Sequence, residues 1–379
     1  MGIPVLGMTS QPGSPIAKTN MCKTVDCRNV NGQPLIETLV DLGKTFEEKA
    51  VLFPSADPQV LLISENREQL APYYHFGLPS KDVVKLLLDK TAFAPFAEKG
   101  GFLTPSTFLV DRTTDIDRSI EGLKYPCILK PFCRTQQWKQ HNQEKKVLFI
   151  EDQDSLLRLL PKAFLWADRL VLQEWIAGAD SEIYFCLMYF DAAAEPRATF
   201  VGKKIRQWPP EAGSTASAEK KFNTTVLEES LRLFKAVGYQ GLGSVEYKFD
   251  AQDQKFKIME PTVGRPNLQS YVAVANGINI PYVAYCDLIG RPVTQLDHPA
   301  LPGPVKWINE WSEFRSARFY LQRGDVTLKE WYTSLWGTHT YSLFSVSDPL
   351  PFVLTLAQTT VENITLRSRS PEELEFSRS

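Results

Sequence analysis

The chain has 379 residues, 43% of them apolar and 23% charged, enough for two or three domains whose core needs neither disulfides nor metal staples. That composition excludes a disordered chain, a collagen-like repeat and a disulfide miniprotein. Forty-two Lys and Arg against 44 Asp and Glu leave a net charge of −2, which gives no footing for nucleic acid, so a phosphate site has to be a local patch of positive charge. The six cysteines include no CxxC pair and read as reduced thiols of a cytoplasmic protein. No apolar run reaches 18 residues, and residues 1–8 lack the basic start and the apolar length of a signal peptide.

Residues 3–8 read as a short buried strand, residues 36–49 as a helix with Ile36, Leu39, Val40 and Leu42 on one side, and residues 50–54 as a strand. This alternation predicts a small parallel α/β domain over residues 1–93. Ser80 is an N-cap candidate ahead of Val83, Val84, Leu87 and Leu88, and a second helix runs to Lys99, stopped by Gly100 and Gly101. Strands follow at 104–110, 125–131, 147–150, 170–176, 181–190 and 198–206, with helices at 152–160 and 226–237. Residues 243–250 and 255–260 form a hairpin around 251–254, and the stretch 170–260 reads antiparallel. The second domain is expected over 94–295, its subdomains parting near residue 170. The aromatics of 296–379, among them Trp307, Phe314, Tyr332 and Trp336, are expected to be packing. Order is expected to end near 347–352, and the polar end from 367 is expected to fray.

Chemistry concentrates in the hairpin. Glu246 lies inside one strand and Glu260 ends the next, so both carboxylates can enter one cleft. Facing carboxylates repel unless a proton or a cation lies between them, and magnesium takes carboxylate together with phosphate oxygens. Alone, the pair reads equally well as solvated strand charges. Lys130 follows an apolar strand, so its stem is buried and its ammonium needs an anion such as a phosphate. Lys90 stands at a helix end, a common place for lysine.

Lys90, Lys130, the segment Gln173, Glu174, Trp175 and Ile176, then Lys204 and Arg206, precede the two acids in an order that resembles the ATP-grasp superfamily of carboxylate–amine ligases. The phrase MEPTVGRPNLQS at 259–270, with NGINIP at 276–281, resembles the branch of bacterial ligases related to D-aspartate ligase. The resemblance implies an α/β (α+β) ATP-grasp fold preceded by the small parallel domain and followed by a C-terminal helical extension. It implies ATP and Mg2+ as cofactors. Lys90, Lys130, residues 173–176, Glu182 and Lys204 would then contact the nucleotide, with Glu246, Glu260, Thr262 and Asn267 around the metal. Arg206 would reach the phosphates or an oxyanion, and Arg265 would fork onto an acceptor carboxylate. The implied reaction makes an acyl phosphate and ADP, then a C–N bond. The implied partners are small-molecule carboxylate and amine substrates, amino acids among them, and a second copy of the chain in a homodimer, with no nucleic acid and no membrane.

Three departures stand against this pattern. Residues 134–146 carry no glycine where a Gly-rich phosphate loop is usual, so Lys139, Lys145 and Lys146 are expected to supply charge on a mobile lid. Thr262 stands where a metal-binding asparagine is usual, with Asn267 as its substitute. The chain begins at what looks like the second strand of the first domain, so either the start is truncated or one unit of the sheet is lost. A non-catalytic nucleotide-binding protein of the same fold is the alternative reading, separated by magnesium-dependent ADP release. A dinucleotide enzyme finds no GxGxxG.

Overall fold

A computed structural model describes residues 2–116, 120–132, 135–141, 147–293 and 303–368. The chain divides into two compact units. One gathers the described parts of Met1–Ala50, Asn66–Tyr74 and Tyr341–Ser379; the other holds Val51–Glu65 and the described parts of His75–Thr340. This division does not follow the boundaries expected at 93 and 295, because residues 303–340 belong with the large sheet.

In the first unit β1 (Leu6–Thr9) pairs in parallel with β2 (Lys23–Asp26). β1 starts three residues later than expected and is not buried. Helix α1 (Gln33–Gly43) buries Leu35, Ile36 and Leu39, and the Tyr74 hydroxyl donates to the Leu39 carbonyl at 2.7 Å. It stops short of the charged run 47–49. Order does not end near 352: Asp348 accepts from Thr19, and a helix, Leu350–Ser368, follows.

In the second unit, α2 (Asp57–Glu65) is followed by α3 (Lys81–Leu88) and α4 (Lys90–Lys99). The Ser80 hydroxyl caps α3 by accepting from Val83 N, and the Asp89 carboxylate caps α4 by accepting from Thr91 N at 2.8 Å. Lys90 therefore opens a helix instead of closing one, at the end where the helix dipole disfavours a cation.

Strands β3 (Thr107–Asp111), β4 (Cys127–Pro131), β5 (Leu148–Ile150) and β6 (Arg169–Glu174) form an antiparallel sheet of order β3-β6-β4-β5. Between β4 and β5, the expected lid contains a short helix, α5 (Gln136–His141), whose Trp138 is fully buried in the core of this sheet with Leu129, Leu156 and Leu170. That apolar anchor contradicts a wholly polar, unpacked loop. Lys145, Lys146 and the side chain of Lys139 lie outside the described residues. Helix α6 (Gln153–Trp166) is capped by Asp152 and runs six residues further than expected, across Pro161.

The large sheet takes β7 (Ile183–Phe190), β8 (Pro196–Trp208) and β9 (Ser214–Lys220). It then takes the hairpin β10 (Gly241–Asp250) and β11 (Lys255–Val263), followed by β12 (Val305–Ile308) and β13 (Thr338–Tyr341), in the order β11-β10-β7-β8-β9-β12-β13. All eight residues of β7 are buried. Its continuous apolar run fits a central strand covered on both faces. Helix α7 (Thr224–Ala236), capped by Asn223, covers one face, with Phe234 against Phe190 at 5.6 Å. The other face packs on Ile280 and Ala284 of α8 (Ile280–Leu288) and, further along, walls a cavity. The C-terminal aromatics divide: Trp307 is core, whereas Phe314, Tyr332 and Trp336 are exposed and do not pack as expected. Among the described residues no helix is long and apolar enough to cross a membrane.

Candidate active site

A cavity of about 530 Å³ is walled by residues of both sheets of the second unit, within the range of small-molecule sites. The small sheet contributes Lys130, Gln173 and Glu174, and the large sheet contributes Lys204, Glu246, Glu260 and Thr262. Trp175, Ile176, Lys90, Arg265 and Asn267 join the wall from the connecting segments and α4.

Three lysines and two carboxylates meet there. Lys90 lies 3.2 Å from Glu260, Lys204 lies 2.9 Å from Glu246, and Lys130 donates to the Gln173 side-chain oxygen at 2.7 Å. Gln173 is itself held by donation to Thr107 at 3.0 Å. Burial, with the nearby charge of Lys90, pushes Lys130 down to about 7 against the pull of Glu260. Burial raises Glu260, but Lys90, Lys130 and Lys204 outweigh it and hold the carboxyl below its ordinary value. Lys90 and Lys204 balance the two acids, and Lys130 can add a further positive charge when it is protonated against an anionic ligand.

Glu246 and Glu260 are directly opposed in the β10–β11 register, and both line the cavity. Glu260 does not end its strand, which runs on to Val263. A bulge leaves Met259 without a partner between the Glu246–Glu260 and Tyr247–Ile258 pairs. Among the described residues no three His, Cys, Asp or Glu side chains converge as a closed metal cage. Two carboxylates fit magnesium all the same, because it keeps waters and binds through one or two carboxylates plus phosphate oxygens. The cations now on Glu246 and Glu260 show that both accept positive charge. The Thr262 hydroxyl donates to Asn267 Oδ1 at 3.2 Å, and Asn267 Nδ2 donates to Ser244 at 2.5 Å, which fixes the Asn267 amide in the cavity wall.

Two expected residues do not line the cavity. Glu182 is taken by Lys203 at 2.9 Å. Arg206 is buried in an ion pair with Glu313 at 2.6 Å and donates to Ser334 at 2.8 Å, so it does not reach an oxyanion. Strand alternation puts Lys204 and Arg206 on one face, but the β8–β9 register slips at Ile205. Gln207 joins Lys204 at the cavity instead, 3.2 Å from its ammonium. The carboxylate of Glu174 is held from within the protein, by Ser106 N at 3.0 Å and by Lys257 at 3.1 Å. Arg265 lines the cavity with its Nε on Asp57 at 2.6 Å. Sequence reasoning missed Gln207, Lys248 and the loop 211–215, all in the wall. For Lys248 the signal was present: it stands two residues after Glu246, on the same strand face.

No protein-family model matches the chain. It is 22% identical over 281 residues to the D-aspartate ligase of Enterococcus faecium, covering 70% of this chain and 66% of that one. Among solved structures it is similar to the ADP complex of an N5-carboxyaminoimidazole ribonucleotide synthetase. The TM-score is 0.60 and the identity 13%, over 85% of this chain and 78% of that one. It is also similar to the biotin carboxylase domain of Hydrogenobacter thermophilus 2-oxoglutarate carboxylase, solved with MgADP, ADP and bicarbonate. There the TM-score is 0.58 and the identity 15%, over 77% of this chain and 65% of that one. The chain has the ATP-grasp fold. The chain spans just under two thirds of the length of the ligase and of the carboxylase domain.

Proposed function

We propose that the protein is an ATP-dependent carboxylate–amine ligase, acting in the cytoplasm on small molecules and releasing ADP. The observation that carries this reading is the convergence of Lys90, Lys130 and Lys204 on Glu246 and Glu260 in one cavity of an ATP-grasp fold. The three ammoniums bind the triphosphate and trade their present carboxylate and amide partners for phosphate oxygens. Magnesium, held by Glu246 and Glu260 beside Asn267 and Thr262, would neutralise charge on the phosphates. Gln173 to Ile176 hold the base end.

A substrate carboxylate oxygen attacks the γ-phosphorus, the bond to the β-phosphate oxygen breaks, and ADP leaves an acyl phosphate. The amine then attacks the acyl carbon and phosphate departs. Arg265 supports the acceptor. Asp57 fixes its Nε, and Nη2 has no partner among the described residues, which leaves it for an acceptor carboxylate or the tetrahedral oxyanion. No covalent enzyme nucleophile is needed.

The experiment is ADP release with ATP, magnesium and pairs of amino acids, with hydroxylamine added in a second series to trap acyl phosphates as hydroxamates. Release that requires an acid, with hydroxamate formed from that acid alone, supports the reading. A protein that binds ATP yet gives neither product with any pair is the non-catalytic relative.

A further inference from the structure

The three lysines of the phosphate cluster leave a fourth unexplained. Lys248 is 3% exposed and lines the same cavity. It shares a strand face with Glu246, two residues further toward the hairpin turn, about 7 Å along β10. Its ammonium makes no hydrogen bond and no ion pair among the described residues; its one recorded neighbour is the Trp175 ring, 4.7 Å away. The carboxylates nearest in charge are all engaged elsewhere. Asp180 accepts from Gln207, from Glu211 N and from Tyr320; Glu211 is paired with Arg323; Asp250 is paired with Lys257. A buried ammonium without a partner is costly, and a cavity-lining one finds its partner in a ligand.

The surroundings name the kind of ligand group. Lys248 stands directly across the β7–β10 register from Ile183 and beside Trp175, both in the cavity wall. This end of the cavity carries the apolar side chains of Trp175, Ile176 and Ile183, one step along β10 from Glu246. We infer that Lys248 reads the nucleoside half of the nucleotide, its ammonium donating a hydrogen bond to an acceptor atom of the base or ribose beside Trp175. This rests on the nucleotide site proposed above and makes Lys248 a specificity-determining residue, distinct from the phosphate-binding lysines.

The test is Lys248→Met, which keeps the bulk of the side chain and removes the donor, compared with Lys248→Arg, which keeps a donor. Calorimetry is run with ATP, ADP, adenosine and inorganic tripolyphosphate. Losing one charge-assisted hydrogen bond predicts a fall of roughly 10- to 100-fold for ATP, ADP and adenosine alike in Lys248→Met. Tripolyphosphate binding stays unchanged, Lys248→Arg keeps more of the affinity, and the ligand-free melting temperature does not fall. Wild-type affinity for ATP in a folded Lys248→Met, or a matching loss of tripolyphosphate, overturns the inference while the nucleotide site stands. A Lys248→Met that does not fold gives Lys248 a structural role and overturns it too. A wild-type protein that binds tripolyphosphate but neither ATP nor adenosine overturns the nucleotide reading and this inference together.

Discussion

Lys257 Nζ lies 3.1 Å from the Glu174 carboxylate, so the large sheet grips the last residue of β6 just before the cavity-lining Trp175. The same ammonium lies 2.8 Å from Asp250, across the hairpin. The lysine side chain is 7% exposed and the two carboxylates 9% and 4%. Burial works against its charge, but the hydrogen bonds it donates to Asp250 and Glu174 outweigh that and raise Lys257 above the ordinary lysine value. Lys257→Met is expected to destabilise the fold by about 3–5 kcal/mol, because two buried carboxylates lose the cation hydrogen-bonded to them and Glu174 keeps as a cation only the exposed Lys124, 3.9 Å away. Adding Glu174→Gln and Asp250→Asn should recover most of the loss in urea unfolding. The sign with pH follows from the raised value: the contribution is whole below the unfolded lysine pKa and is lost as pH climbs through the folded one.

Lys130→Ala should weaken ATP binding by about 1.5–3 kcal/mol without unfolding the protein, since a charge-assisted phosphate contact is lost. Lys130 sits at about 7 in the free protein, so at pH 8 it is largely neutral and must gain a proton to meet a phosphate. Binding at pH 8 should therefore take up a proton, read as a dependence of the calorimetric enthalpy on buffer ionisation heat. That uptake should vanish in Lys130→Met, and the Lys130 contribution to affinity should decline from pH 7 to pH 9. Equal proton uptake in wild type and variant would remove Lys130 from the phosphates.

Glu246→Gln and Glu260→Gln should each abolish ADP formation while leaving the fold and much of the metal-free ATP binding intact. The pair faces one site across the hairpin, so the double variant should add little to either single loss. A magnesium titration of turnover decides: near-normal turnover in one single variant, or a double far worse than both singles, means that the acids do not share a metal.

Arg206→Met is expected to act on stability instead of chemistry. Glu313 would keep its bonds from Ser217 at 2.6 Å and Trp331 at 3.2 Å but lose its cation. The cost should be about 3–5 kcal/mol, read by denaturant unfolding, with turnover per folded molecule unchanged. A folded variant with collapsed turnover would return Arg206 to the reaction.

These contrasts show what a sequence can and cannot carry. Ser80, the helical stretch 226–237 and the hairpin 243–260 are local signals, and each element they announce is present within a few residues. That Glu246 and Glu260 enter one cleft was legible from two acids on the paired strands of a hairpin, whereas their direct opposition depends on the register and its bulge at Met259. Arg206 was not legible, because the β8–β9 register shifts on both sides of it, between Lys204 and Arg206 and between Arg206 and Gln207, and no local signal marks these shifts. Lys90 was misjudged in its setting: Asp89 both ends α3 and caps α4, so the lysine belongs to the second helix. Lys248 was passed over because its meaning depends on which carboxylates are already taken, a property of the folded whole.

The bond between Arg206 and Glu313 also bears on how far the chain can be shortened. Glu313 lies on the helix Glu310–Arg323, and β12 and the edge strand β13 come from the same late stretch. A chain ending near residue 295 would keep every residue of the nucleotide cavity named above. It would also strip the edge of β9 of its neighbour and strand a guanidinium inside the protein with nothing to answer it. The late segment is a structural counterweight to the site, and an expressed fragment that omits it should be recovered as aggregate.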